Sequence, residues 1–291
     1  MYSWPLWDRL ELSSNILIAG AGGGFDVFSG IPLYLALREA GKTVTLANLS
    51  FAALPLDPDC RATDSCVRVT SDYPYDGGYF PELQLCRWLA QKQGIDAPVY
   101  AFEQRGVIPL KEAYEWIAEE HQIDTVILVD GGTDSLMRGD EVGLGTPAED
   151  FASLAAASSL RVPNQFLVCL GFGVDYFHGV CHAQFLEAVS ALSKRGGYLG
   201  LSALLPDMPE SIAFLDAVRF ANEQTPSRPS IVANSIASAI EGEFGDHHRT
   251  DRTARSKLWI NPLMSIYWAF ELTPVVERNL CLSAILKAGR C

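Results

Sequence analysis

The sequence predicts a three-layer α/β fold, in which helices cover both faces of a doubly wound, mainly parallel (Rossmann-like) sheet. Short apolar segments alternate with amphipathic helical segments along the chain. Several of the apolar segments have no polar face, which is typical of parallel strands that are buried on both sides. The sequence shows neither an internal repeat nor a long linker, so we expect a single domain over residues 1–291.

The elements follow from apolar periodicity, with proline near helix starts and glycine near helix ends. We expect strands over residues 15–19, 43–48, 97–102, 124–129, 165–170 and 197–201, and a further strand near residues 257–260. We expect helices over residues 32–40, 81–93, 109–121, 149–159, 181–194 and 209–222. The segment 124–129 (DTVILV) is the clearest buried strand.

Composition excludes several classes of protein. The chain has 48% hydrophobic and 20% charged residues, which is ordinary globular composition, and a net charge of −13. Such a charge repels nucleic acid backbones and anionic membranes, so we expect neither as a partner. The seven cysteines include no CxxC pair, which disfavours a disulfide framework and structural zinc. Residues 1–15 lack the pattern of a secretory signal, and no apolar run reaches membrane-spanning length, so we expect a cytoplasmic protein.

A glycine-rich loop, GAGGGFD, follows the first predicted strand at residues 20–26. Glycines let the backbone approach a ligand closely, and free N–H groups before a helix bind anions. The loop is neither a complete GxGxxG nor a Walker A sequence, and a tight turn would also explain it. The candidate ligand-binding residues are Gly20, Gly22, Gly23, Gly24 and Asp26, the last of which could accept a ribose hydroxyl or cap the next helix.

An acidic loop, DGGTDSLMRGDE, follows the clearest strand at residues 130–141. Ligands of such folds bind at the carboxyl ends of the strands, so this position predicts a site. Carboxylates can hold Mg²⁺ or activate water, and an arginine can clamp a phosphate. The candidate catalytic residues are Asp130, Asp134, Arg138 and Asp140; the candidate ligand-binding residues are Gly131, Gly132 and Thr133; the candidate Mg²⁺ ligands are Asp134, Asp140 and Glu141. The alternative is a surface loop in which Arg138 neutralises its neighbours.

A third loop, GFGVDYFHGVCH, follows the strand predicted at residues 165–170. Its two histidines, His178 and His182, have the spacing of one helix face. Gly179 weakens that helix, and no HExxH sequence is present, so zinc binding is disfavoured. We expect His178, which is nearer the strand end, to act as a general base or a hydrogen-bond partner of the ligand.

Two other polar segments have structural explanations. Glu149 and Asp150 fall in a first helical turn, where the helix dipole alone favours acidic residues. Residues 242–253 (GEFGDHHRTDRT) read as an exposed or lid-like loop.

The segments GAGGGFDVFSGIPLYLALREAG and DGGTDSLMRGDEVGLGTPAED resemble the domain of unknown function 1152 family, over most of the chain. This resemblance implies no settled activity. The first loop is also similar to the GAGxS entry of sirtuin-type NAD-binding domains, although glycine replaces the final serine. That similarity implies NAD or another adenine nucleotide as the ligand, and no deacylation chemistry.

These observations favour a nucleotide-binding hydrolase or group transferase, with Mg²⁺ as a candidate cofactor and a nucleotide or related phosphorylated metabolite as its partner. One alternative is a nucleotide sensor without turnover. Another is a metal-independent hydrolase of small amides or N-glycosides. The sequence leaves open whether the chain forms a homo-oligomer.

Overall fold

A computed structural model of the protein describes residues 4–54, 58–75 and 78–288. Its nine strands form one sheet. Five parallel strands form the centre, in the spatial order β5 (Val99–Phe102), β2 (Thr43–Leu49), β1 (Asn15–Gly20), β6 (Thr125–Asp130) and β7 (Asn164–Cys169). The mainly parallel sheet predicted from the apolar segments is confirmed.

Both edges of the sheet are antiparallel. Beyond β5 lie β4 (Cys66–Val69) and β3 (Arg61–Thr63), and beyond β7 lie β9 (Ile266–Glu271) and β8 (Tyr198–Ala203). The prediction of a strand near residues 257–260 is wrong, because Ile260 forms only an isolated bridge with Gly245. Three strands were not predicted: β3, β4 and β9, the last of which begins after the turn at Pro262 and inserts between β7 and β8.

Helices cover both faces, which confirms the three-layer architecture. One layer contains α1 (Pro5–Leu10), α2 (Asp26–Ser29), α3 (Ile31–Glu39), α4 (Pro81–Trp88), α8 (Pro209–Gln224) and α9 (Ile231–Ile240). The other contains α5 (Val107–Glu120), α6 (Pro147–Ser158), α7 (His182–Lys194), α10 (Leu272–Arg278) and α11 (Leu282–Ala288).

Side-chain alternation along the strands divides the core into two apolar clusters. In β1, Ile16 and Ile18 pack against the α3 layer, whereas Leu17 and Ala19 pack against the α5 layer. Because both faces of the central strands are buried, the polar groups that follow these strands collect at the carboxyl edge of the sheet. Within the described residues, no helix has both the length and the apolar character needed to cross a membrane.

Candidate active site

The site lies where the strand order of the sheet changes direction. After β1 the chain passes to β2 on one side, whereas β6 pairs with β1 on the other side. The loops that follow β1 and β6 therefore diverge at the carboxyl edge, and in open α/β sheets this is the position of the crevice that binds ligands. The loop after β7 borders the same crevice.

The loop after β1 directs its amides at a carboxylate of its own. Gly22 N donates to Asp26 Oδ2 over 2.6 Å. Burial raises the pKa of Asp26 to about 7, and the charge of Asp134 adds to this rise, while N–H groups of Gly22, Gly131 and Gly23 oppose it. These amides donate to Asp26, so their predicted role as phosphate ligands stays a prediction.

The loop after β6 presents carboxylates that are also held by hydrogen bonds. Asp130 accepts from the amide and the hydroxyl of Ser135. Asp134 Oδ2 accepts from Thr146 N over 2.7 Å, which ties this loop to the start of α6. The amide of Thr133 donates to Asp175 Oδ2 over 2.7 Å, which ties it to the loop after β7.

Asp150 enters the crevice from α6. It lies in the first turn of the helix and is 1% exposed. Neither of its carboxylate oxygens has a hydrogen-bond partner. A Cβ atom placed at Gly22 would lie 2.8 Å from Asp150 Oδ1 and 2.9 Å from Asp26 Oδ2, so the glycine allows the two carboxylates to come together.

Five side chains thus form what we call the carboxylate cluster: Asp26, Asp130, Asp134, Asp150 and Asp175. Asp26, Asp130 and Asp150 each offer one oxygen within 4.8 Å of the others. Burial raises the pKa of Asp130, Asp150 and Asp175 well above the usual range, and the charge of Asp134 is the next cause in each case. Without a compensating cation, part of the cluster must therefore hold protons.

Three predicted residues lie on the surface instead. Arg138 and Asp140 form an ion pair of 3.4 Å, with side chains 47% and 53% exposed. Glu141 accepts from the amides of Arg138 and Gly139, so it caps its own loop. Among the described residues, the group that could hold a metal ion includes neither Asp140 nor Glu141. The Mg²⁺ ligand set that combines them with Asp134 is therefore not assembled by the structure.

Of the two histidines, His178, which was expected to act, is the more exposed. His178 is exposed, and its ring packs edge-on against Phe177. The ring of His182 lies 4.6 Å from that of Trp259 and stacks on Tyr176, and its buried Nε2 has no partner. The turn that ends at Gly179 directs His178 towards solvent, so the structure does not support His178 as the general base.

Sequence reasoning missed the positive side of the crevice. The hydroxyl of Tyr79 would lie 3.1 Å from a Cβ atom at Gly24. Burial, together with the carboxylates of Glu82 and Asp26, raises the pKa of Tyr79 to about 12, although the guanidinium groups of Arg252 and Arg228 oppose this rise. Both arginines are therefore near Tyr79.

These arginines come from segments far along the chain. Arg252 Nη1 donates to Pro229 O over 2.8 Å, which joins the loop at 242–253 to the start of α9. Val232 of α9 in turn packs against Gly131. No single motif signals this arrangement, although the sequence did mark residues 242–253 as an exposed polar loop.

Among the concave surfaces of the described residues, two bear on the choice of site. A groove of about 890 Å³ between α5, α6 and α11 is lined by no member of the carboxylate cluster. A cleft of about 190 Å³, bounded by Leu49, Glu103 and Glu149, lies at the carboxyl edge itself. The carboxylate cluster and its position both favour the carboxyl edge over the larger groove as the candidate active site.

The model of a protein family of unknown function, DUF1152, matches residues 70–290. The chain belongs to the DUF1152 family. The matched region contains four members of the carboxylate cluster and both arginines, whereas the glycine-rich loop after β1 precedes it. No curated protein matches the chain. The DUF1152 match thus supports the family resemblance and carries no statement about NAD.

Proposed function

We propose that this protein is a hydrolase or group transferase that acts on a nucleotide or a related phosphorylated small molecule. The observation that carries the proposal is the meeting of five carboxylates in the crevice between the loops after β1 and β6. Buried like charges are costly to the fold, and such a cost is typical of functional sites.

The cluster offers the chemistry that hydrolysis and group transfer need. Carboxylates can take a proton from an attacking water or hydroxyl, and a carboxyl group that keeps its proton can give it to a leaving group. Asp175 suits the second role, because burial keeps its pKa high and its amide donor, Thr133, fixes its orientation.

The arginines support an anionic substrate. In a chain with a net charge of −13, Arg228 and Arg252 lie near Tyr79, whose hydroxyl is close to Gly24 of the loop after β1. Guanidinium groups bind phosphate through paired hydrogen bonds. We assign to these two arginines the phosphate-binding role that the sequence suggested for Arg138. A nucleotide, NAD or ADP-ribose could place a phosphate between these arginines and the carboxylates.

The test is turnover of a panel of compounds by the purified chain, followed by chromatography. The panel contains NAD, ADP-ribose, nucleosides and nucleoside mono-, di- and triphosphates. We expect a phosphorylated member to be consumed, and Asp130→Asn to slow the reaction about 100-fold or more. Asp207→Asn, which removes an exposed carboxylate elsewhere, should not change the rate.

The arginines are tested on the same substrate. Arg252→Gln should raise KM about tenfold or more through loss of a phosphate contact. Arg255→Gln removes an exposed arginine three residues away and serves as the matched control. Turnover of unphosphorylated nucleosides alone, with no effect of Arg252→Gln, would contradict the substrate class.

A second candidate function is a ligand sensor without turnover. It is favoured by the burial of Asp130, Asp134, Asp150 and Asp175, each less than 10% exposed, which limits the entry of water. Tight binding of a panel member, measured by calorimetry, without any product over hours would favour the sensor.

A further inference from the structure

We infer that Asp26, Asp130 and Asp150 together hold one divalent metal cation. The inference deepens the proposed function, because it names the cofactor of the same crevice. It replaces the ligand set expected from sequence with one contributed by three separate elements: the start of α2, the end of β6 and the first turn of α6.

The spacing of the oxygens suits a single ion. One oxygen from each of the three carboxylates lies within 4.8 Å of the other two. Oxygens on opposite sides of Ca²⁺, bound at about 2.3–2.6 Å, are about 5 Å apart, and those around Mg²⁺ are about 4 Å apart. Small rotations of the side chains would therefore bring all three oxygens onto either ion. Carboxylates are also ligands that Mg²⁺, Ca²⁺ and Mn²⁺ prefer.

Asp150 provides the independent observation that a ligand is needed. It is 1% exposed, and both of its oxygens lack a hydrogen-bond donor. Its four partners in the cluster differ from it, since each accepts at least one hydrogen bond. A buried carboxylate without donors is strongly disfavoured unless a cation or a proton compensates it.

The described part of the chain supplies no ion-pair partner to Asp150. Among the ion pairs of the described residues, none includes a member of the carboxylate cluster. Arg228 and Arg252 act on Tyr79, and no basic group is among the main charges that act on Asp150. An external cation therefore accounts for the convergence of these three carboxylates.

Gly22 completes the site. Any side chain at this position would meet Asp150 Oδ1 and Asp26 Oδ2 at less than 3 Å. The Ser153 hydroxyl donates to Ala21 O over 2.6 Å and fixes α6 against the same loop. The loop and the helix thus set the separation of two ligands.

The experiment is calorimetric titration of the full chain, stripped with EDTA and dialysed, with Mg²⁺, Mn²⁺ and Ca²⁺ in turn. We expect one ion per chain for at least one metal. Thermal unfolding at about 100 times Kd should shift upward by about 5 °C. Asp150→Asn should weaken ion binding about 100-fold or more, while the ion-free variant unfolds at a higher temperature than the ion-free parent.

Glu149→Gln is the matched control, because it removes the same charge from the adjacent residue of the same helix turn and should bind the ion like the parent. Asp26→Asn is a second ligand variant, in case Asp150→Asn does not fold. Absence of binding heat for all three ions, or equal affinities in Asp150→Asn and Glu149→Gln, would overturn the cation site in favour of shared protons.

The same measurements separate this inference from the proposed function. Ion binding that Asp150→Asn abolishes, without turnover of any panel compound, would support the cation site and contradict the enzyme. Turnover that persists in EDTA, with no binding heat, would support the enzyme and overturn the cation site.

Discussion

Gly22 lies between two carboxylates of the cluster and has room for no side chain. Its backbone is outside the left-handed region, so alanine can adopt it, and the cost of substitution comes from contact with Asp26 and Asp150. We expect Gly22→Ala to lower the free energy of unfolding by about 1–3 kcal/mol, because the carboxylates must move apart. Ion affinity should fall at least about tenfold. Urea unfolding and Mn²⁺ titration measure the two effects.

Gly41→Ala provides the reference for backbone strain alone. Gly41 has a φ of 80°, and a Cβ atom there would meet nothing within 4 Å. This substitution should cost about 1 kcal/mol and leave ion affinity unchanged. Parental ion affinity in Gly22→Ala would show that the two carboxylates do not need their close approach.

Glu82 gives the protein a pH-dependent stability. Its side chain is fully buried and accepts from Asn48 Nδ2 over 2.7 Å, the same amide group that donates to Gly24 O. Burial raises its pKa from 4.5 to about 7. The neutral form is favoured in the folded state, so the contribution of Glu82 is complete below pH 4.5 and is lost as the pH rises to 7.

Glu82→Gln should remove this dependence, because glutamine keeps the acceptor for Asn48 and cannot ionise. The stability of the variant relative to the parent should increase between pH 4.5 and 7, by up to about 3 kcal/mol. Urea unfolding at several pH values measures it. A constant difference across that range would mean that Glu82 ionises in the folded protein as easily as in water.

At the scale of elements, the segment after α10 braces the loop after β6. Arg278 Nη1 donates to Leu136 O, Asn279 Nδ2 donates to Met137 O, and Leu280 N donates to Arg138 O, over 2.8–3.0 Å. Asn279 Oδ1 also accepts from the amides of Cys281 and Leu282, ahead of α11. This segment thus fixes the loop that carries two cluster members.

Asn279→Ala should therefore destabilise the fold by about 2–3 kcal/mol, since it leaves three hydrogen bonds unmade, two of them buried and one partly buried. Chemical denaturation measures this cost, and Ser190→Ala, which removes an exposed hydroxyl of α7, should cost less than about 0.5 kcal/mol. Equal stabilities of these two variants would show that the brace contributes nothing.

The strand, helix or loop on which each site residue lies explains whether its place in the site could be predicted from the sequence. Asp26 and Asp130 directly follow apolar strands, so the parallel pattern indicated their position. Asp150 sits in a helix turn where the dipole explains an acidic residue, and only the packing of α6 shows that it lacks a partner. The arginines near Tyr79 come from loops whose position no local pattern predicts.

At the scale of the whole molecule, a net charge of −13 causes self-repulsion in the folded state. Raising NaCl from about 20 to 500 mM, with EDTA present, should raise Tm by a few degrees through screening. At equal ionic strength, a bound divalent ion should raise Tm further than NaCl alone does. Scanning calorimetry measures both, and a fall in Tm with NaCl would contradict net repulsion.

The centre of the sheet and the edge strand β8 were predictable, whereas β3, β4 and β9 were not. Strands buried on both faces have a continuous apolar pattern, whereas β3 and β4 are only three and four residues long. The position of β9 between β7 and β8 reverses the chain order, and no local feature of residues 266–271 indicates it.

That late strand and the brace at residues 278–280 bear on how the protein is made. A ribosome synthesises the loops after β1 and β6 long before residues 266–280 emerge, and β8 has no sheet partner until β9 arrives. The crevice can form early, but the loop after β6 stays unbraced until translation nears residue 280. The nascent chain therefore carries an unfinished, strongly acidic crevice from the time Asp150 is made until residue 280 has emerged, and the crevice gains its working geometry only then.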